Sequence, residues 1–449
     1  MDYVQLTDDN VRTMLATIGV ERVEDLFRDI PAKHRLDRPL DVPAALSEPE
    51  LLAHLAELTA ANRSCDERIC FLGGGAYDHF IPTVVDALAG QPEFVTAYTP
   101  YQAEASQGSL QTFYEYQTLI CQLTGMDVAN ASLYELASAM AEAVLMARSV
   151  NGRRRVLVSS TVHPDCRQVL DTYATDLPIE PVTVPRTEGR TDLDALADAI
   201  DDDTTAVVVQ SPNFFGCVES LDRAAEIAHS CGALLIASVD PISCGVLRRP
   251  GELGADIMVG EGQALGIPMG FGGPYLGLLA CRQTYMRKMP GRLVGATVDR
   301  AGRRAYCLTL QTREQHIRRE RATSNVCTNQ GLLAIRAAVY LAAMGRRGIS
   351  KVASLCLDKA HYAAQRIAAL DGYELRFADP FFKEFVVRSR RDVPTVLDHC
   401  RTRNILAGVP LATTHPDLPD CFLVAVTENR TKAQIDALAD ALADALASV

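Results

Sequence analysis

Asp240 closes an apolar run from Ala233 to Val239, and a second run, from Asp256 to Val259, ends four residues before Gln263. After Gln263 the chain crosses a segment punctuated by Gly266, Gly270, Gly272 and Gly273. An acidic group at one strand end and a polar turn after the next strand form a chemically meaningful spacing. An α/β enzyme that holds pyridoxal phosphate (PLP) uses the carboxylate to pair with the pyridinium nitrogen, and the turn supplies the amine that forms an imine with the cofactor. An amide cannot form an imine. Gln263 therefore predicts the frame of a PLP enzyme without its covalent anchor.

The chain has six lysines, Lys33, Lys288, Lys351, Lys359, Lys383 and Lys432, and none falls in that turn. The default reading for all six is a solvated surface position. Lys383 is expected to begin a strand of a C-terminal unit. His163 follows a strand end, where it would stack on a flat ring or, more blandly, bond to the backbone of its own turn. Asp240 would neutralise a pyridinium or else cap the loop that follows it.

Residues 98–107 gather Tyr98, Tyr101, Gln102, Glu104 and Gln107 around Pro100, ahead of an expected helix over 110–124. Such a density of oriented donors suits a small polar ligand, and tyrosine and glutamine also suit a subunit interface. Residues 313–328 carry Arg313, Arg318, Arg319, Arg321 and His316 before a Thr-Ser-Asn turn. They read as an anion site or, by default, as a helix laced with salt bridges to Glu314 and Glu320. Gly73, Gly74 and Gly75 suggest an anion nest only weakly.

The elements that must position these residues follow from the apolar pattern. Strands are expected at 156–159, 182–184, 206–209, 233–239, 256–259 and 276–280, with helices at 193–200 and 221–230 between them. Buried strands alternating with helices predict a mostly parallel sheet covered on both faces, whose ligands bind at the strands' carboxyl ends. Residues 1–62 read as a helical arm, with Thr7 capping a first helix and further helices at 23–30 and 48–59. The arm would pack on a neighbouring subunit or wrap its own core. Residues 63–330 form the large domain. Residues 331–449 form a smaller α+β domain, entered by a long helix and closed by an amphipathic helix at 432–446.

Composition narrows the classes. A net charge of −12 argues against nonspecific nucleic-acid or membrane-surface binding. The 13 cysteines show no metal-ligand spacing, so no metal is expected, and free thiols in a reducing cytoplasm are the reading. The N-terminus has no basic start and no apolar run, so no signal peptide is expected. The longest uncharged stretch, from Gly262 to Cys281, holds six glycines and two prolines, which disfavours a spanning helix.

Several long strings together resemble the glycine decarboxylase P proteins, in the subunit 1 form of the two-chain bacterial enzyme. They are Phe71-Leu-Gly-Gly-Gly-Ala-Tyr-Asp-His-Phe80, Tyr98-Thr-Pro-Tyr-Gln102, Ser211-Pro-Asn-Phe-Phe-Gly216, and the stretches 260–274 and 316–330. The resemblance covers essentially the whole chain. It implies a fold-type-I PLP-dependent transferase-like architecture in which two homologous subunits form the functional unit. Gln263 falls where the partner subunit's lysine would lie, and His163 and Asp240 fall at degenerate cofactor positions. The resemblance further implies that PLP is carried by the partner, that glycine is decarboxylated, and that the aminomethyl group passes to the lipoyl arm of H protein. T and L proteins complete that system. The chain alone is then expected to be inactive and cytoplasmic, with Tyr98, Tyr101, Gln102 and Glu104 contributing to substrate or interface. The alternatives are a non-catalytic scaffold and a self-sufficient PLP enzyme using another lysine. One stretch, 132–138, lacks the family's Asp-Gly-Ala-Thr pattern, and its Glu135 would repel an anion at the helix start.

Overall fold

The computed structural model describes residues 6–65, 67–322, 324, 326 and 329–447. Residues 1–63 and 64–449 form two compact units. In the first, Thr7 caps helix Asp8–Ile18 through a reciprocal pair with Asn10, and Gly19 ends it in the left-handed conformation, φ 86°. Ser47 and Glu50 cap helix Glu48–Thr59 in the same way. The helix expected at 23–30 is only a short 3-10 turn, Val23–Phe27, because Pro31 removes the donor a longer helix would use.

In the second unit a seven-stranded sheet runs in the order Val128–Ala129, Gly277–Cys281, Ile257–Glu261, Leu234–Val239, Thr204–Ser211, Arg155–Ser159, Glu180–Val184. Gly277–Cys281 is antiparallel to both neighbours, and the other pairs are parallel. The period of two sorts the side chains. Leu157, Val207, Val209, Leu235 and Ala237 face one apolar layer, and Val156, Val158, Ala206, Val208 and Ile236 face the other. Helix Leu136–Asn151 covers the second layer, and helices Gln107–Thr124 and Leu221–Ser230 cover the first. Both faces are therefore dry, and the open positions are the strand ends.

Helix Gly331–Ala368 breaks at Gly345 (φ 57°). Its first part joins the sheet's core, and its last turns join a four-stranded antiparallel sheet, Tyr373–Leu375, Glu384–Ser389, Cys421–Ala425 and Val409–Pro410. Strand Ile69–Cys70 pairs with Ile405–Leu406, which ties the segment leading into Phe71 to this C-terminal layer. A ribbon, Leu293–Val298 with Arg304–Thr309, packs beside helix Gln107–Thr124. The helix expected across 313–328 is not formed. Three single turns, Gln311–Arg313, Gln315–Arg318 and Arg319–Arg321, replace it, because Arg319 takes a positive φ of 54° and Arg313 turns inward to backbone carbonyls. Residues 323, 325, 327 and 328 of that stretch lie outside the described residues. Among the described residues no helix is long and apolar enough to cross a membrane, and the cysteines are free thiols.

Candidate functional site

The carboxyl ends of the parallel strands bring His163 and Asp240 to one recess, which is shared with Gly75, Tyr77, Glu261 and Lys383, and Gln263 lies behind its wall, bonded to Tyr77. Two positions picked from the sequence thus meet there with the third close behind, and the groups that meet them come from far along the chain. The Lys383 ammonium donates to Asp240 Oδ2 at 2.7 Å and to His79 Nε2 at 3.0 Å, and it lies 3.4 Å from the centroid of the Tyr77 ring. Lys383 is 1% exposed, so its surface reading is wrong. Burial is possible because a carboxylate, an imidazole and an aromatic face replace its water. The cation that Asp240 faces is Lys383, so its carboxylate is already paired within the chain. Asp240 also caps its loop, its Oδ1 accepting from the Ile242 N–H at 2.9 Å.

Because Lys383 donates to His79 Nε2, the proton of that imidazole sits on Nδ1, which donates to Glu428 Oε2 at 2.6 Å. Burial pushes Glu428 up, but the hydrogen bonds from His79 and the Phe80 N–H outweigh it and lower the carboxyl to about 2. Cys356 donates its thiol to the same carboxylate at 3.4 Å, and burial pushes that thiol up, which keeps it protonated. His79, Cys356 and Glu428 cluster within 4.8 Å, and with the Lys383 ammonium on the far side of His79 they form one hydrogen-bonded chain.

Gln263 does not point into open space. Its Oε1 accepts from the Tyr77 N–H at 2.9 Å, and its Nε2 donates to Tyr77 O at 3.1 Å and Ile267 O at 2.8 Å. The amide clasps the Tyr77 peptide as a neighbouring strand would. A lysine cannot accept there, so the amide has a structural use that an amine could not serve.

Main chain also meets the edge of the His163 ring. His163 Nδ1 accepts from the Asp165 N–H, which leaves the proton on Nε2 to donate to Gly74 O at 2.7 Å. A Cβ on Gly75 would meet the His163 ring at 3.5 Å, and Gly74 and Gly75 take φ of 77° and 112°. Glycine is favoured there because the loop adopts positive φ at both positions, a conformation that other residues rarely take. The triplet is no anion nest, because the Gly74 N–H is spent on Glu384 Oε1 at 2.7 Å.

Two carboxyl groups take the start of helix Leu136–Asn151. Glu135 accepts from the Ser138 N–H at 2.8 Å, and Glu261 accepts from the Leu136 N–H at 3.1 Å. A helix N-terminus at a strand end is a natural phosphate seat, and here it is occupied by the chain's own acids. Burial pushes Glu261 up to about 7. The recess retains space for about 30 Å³, whereas pockets that enclose organic ligands run to roughly 300 Å³ or more. PLP does not fit these residues. Its ring, its pyridinium partner and its phosphate seat are each taken.

Glu384 binds the site's loop from the C-terminal sheet, accepting from the Gly74 N–H and, at 2.8 Å, from the Tyr77 hydroxyl. Burial pushes its carboxyl from 4.5 to about 7. A carboxyl raised by folding contributes its full stability below the unfolded value and loses it as pH rises through the folded one. A shift of that size corresponds to about 3 kcal/mol. Glu384→Gln, whose amide can donate to the Tyr77 oxygen, should flatten the fall in unfolding free energy between about pH 4.5 and 8. Urea titrations across that range measure it, and an unchanged slope contradicts the assignment.

The other expected residues lie elsewhere. Tyr98 is 83% exposed, and Tyr101, Gln102 and Glu104 are also exposed, in the segment before helix Gln107–Thr124. None of them lines the first recess. Tyr98 borders a second one, with Arg292 and Asn329, neither of which sequence spacing singled out.

Residues 1–442 match the family described as glycine cleavage system P-protein. A protein of Desulforamulus reducens named probable glycine dehydrogenase (decarboxylating) subunit 1 is 52% identical over 439 residues, 98% of each chain. A crystal structure of glycine decarboxylase (P-protein) of the glycine cleavage system, in inhibitor-bound form, superposes with a TM-score of 0.92 at 44% identity, covering 99% of this chain and 100% of that one. Glutamate decarboxylase of Lactobacillus brevis superposes with a TM-score of 0.69 at 14% identity, over 94% of this chain and 97% of that one. That likeness carries the fold alone, which is fold type I of the PLP-dependent transferases.

Proposed function

The chain belongs to the glycine cleavage system P-protein family, and from that premise we propose that it is the lysine-less subunit of a two-subunit glycine decarboxylase. The partner subunit carries PLP. The assembled enzyme decarboxylates glycine and passes the aminomethyl group to the lipoyl arm of H protein, with T and L proteins acting downstream in the cytoplasm. This chain supplies side chains from across the interface, among them Tyr98, Tyr101, Gln102 and Glu104, which orient the substrate and exclude water.

The observation that carries the reading is the closure of the chain's own strand-end site. Lys383 holds Asp240 and Gln263 holds Tyr77, so the recess has neither an imine-forming amine at the turn nor room for a ring. A subunit closed in this way contributes to catalysis only through a second site.

Glycine–bicarbonate exchange in the presence of H protein tests the proposal. The expected outcome is no exchange from either purified subunit and exchange from the mixture. Exchange by this chain alone rejects it. Substituting Tyr98 and Gln102 in the mixture separates a contributor from a scaffold: turnover falls in the first case and is unchanged, with assembly intact, in the second.

A further inference from the structure

Two stretches distant in the chain meet at one basic patch. Arg287 and Lys288 end the turn Gln283–Lys288, and Arg318 ends the turn Gln315–Arg318. All three line a recess with space for only about 30 Å³, together with Pro290, Gly291 and Ser324. Arg313 holds the stretches together. Its guanidinium donates to the Met289 carbonyl, to Leu310 O at 3.1 Å and to Gly291 O at 3.2 Å. That arginine is spent on the fold. Arg287, Lys288 and Arg318 are exposed, and they pair with no carboxylate among the described residues. The acids of the segment are turned to other cations, Glu314 to His316 Nδ1 at 3.5 Å and Glu320 to Arg321 at 3.8 Å. Like charges gathered round one recess repel one another, so the fold gains nothing from the arrangement. In a chain of net charge −12, such an unpaired cluster marks a place for an anionic partner.

The chemistry of the patch selects the kind of partner. The recess is too small to enclose an organic ligand, so the partner lies over the exposed rim. The core of a permanent subunit interface is depleted of charge. A partner that must arrive, react and leave is steered by charge instead, and complementary charge speeds its association. The patch also lies beside the segment assigned above to the substrate side, because His316 packs edge-on against Tyr101 with ring centroids 5.6 Å apart. We propose that Arg287, Lys288 and Arg318 dock an acidic face of the protein that carries the lipoyl arm. This rests on the reading of the chain as a decarboxylase subunit, and it names the surface on which the acceptor arrives.

The test uses the full chain mixed with its wild-type partner, with H protein as the probe, in the glycine–bicarbonate exchange assay and in calorimetric binding. A wild-type mixture that binds H protein without exchange counts against the decarboxylase reading and not against this one. Arg287→Glu, Lys288→Glu and Arg318→Glu are each expected to raise the KM and Kd for H protein about 10-fold, and the triple variant further, because each reversal sets like charges face to face. The KM for glycine should stay where it is. Free lipoamide in place of H protein should serve the triple variant as well as the wild type. The wild-type Kd should climb with ionic strength, and that of the triple variant should not. Lys351→Glu, an exposed cation of helix Gly331–Ala368 outside the patch, should leave every constant unchanged. An unchanged Kd for H protein in the assembled triple variant overturns the proposal. So does an equal loss with free lipoamide, or an equal loss from Lys351→Glu. Failure of the triple variant to assemble with its partner also overturns it, because the partner subunit would then be the occupant of the patch.

Discussion

Replacing Lys383 with methionine will destabilise the chain by about 3–5 kcal/mol, because it leaves the Asp240 carboxylate buried without its cation. The same change also frees His79 Nε2 of its donor and strips the charge from the Tyr77 ring face. Surface substitutions cost within about 0.5 kcal/mol, so the outcome separates the two readings of this lysine cleanly. The companion variant matters more than the single one. Asp240→Asn with Lys383→Met removes both charges together, and most of the loss should return, since neutral groups of similar size carry no stranded charge. Urea unfolding of the two single variants and the double variant gives the coupling directly. A loss below about 0.5 kcal/mol, or a double variant as unstable as the singles combined, contradicts the pairing.

Gln263→Lys will not restore cofactor binding, although it returns the missing amine to the turn. Three obstacles remain after the substitution. Asp240 is engaged by Lys383, the recess beside His163 keeps only about 30 Å³, and Glu135 and Glu261 occupy the helix start. The new side chain also removes the acceptor of the Tyr77 N–H and places an ammonium among buried groups. The variant should therefore be destabilised by about 2–4 kcal/mol and should show no visible absorption band when mixed with PLP. Saturable uptake of one PLP per chain by this variant would show that the recess opens.

Much of the frame was legible because strand ends are encoded locally. Apolar runs marked strands Leu234–Val239 and Ile257–Glu261 to within two residues, and a parallel sheet places their carboxyl ends along one edge. Asp240, Gln263 and His163 could be picked from that rule alone. The groups that close the site could not. Glu384 opens a strand of the C-terminal sheet, Lys383 immediately precedes it and Glu428 lies in the loop after strand Cys421–Ala425, while His79 comes from a loop tied to that layer by the Asn429 and Thr427 side chains, which both donate to Asp78. Contacts spanning 300 residues leave no periodic trace. A local signal was nonetheless present at Lys383 and Glu384, a charged pair set inside the apolar run from Phe381 to Val387. Charges there are either at a strand's exposed edge or buried with partners, and burial won because Asp240, His79 and Tyr77 all wait at the same place. Arg292 follows Pro290 and Gly291 with no pattern around it, and only the packing of the ribbon against helix Gln107–Thr124 shows that it points inward. The failure at 313–328 has a different cause. Charge spacing suggested i,i+4 pairs, but the ion pairs formed join neighbours, Glu320 with Arg321 and Glu314 with His316, in turns too short for helical spacing.

The central claim is that this subunit closes its own coenzyme site with its own side chains. Borohydride reduction of the isolated wild-type chain after incubation with excess PLP, followed by peptide mass mapping, tests it most directly. The account predicts no saturable phosphopyridoxyl label on any of the six lysines and an unmodified Lys383. One label per chain on a single lysine, Lys383 above all, would contradict it.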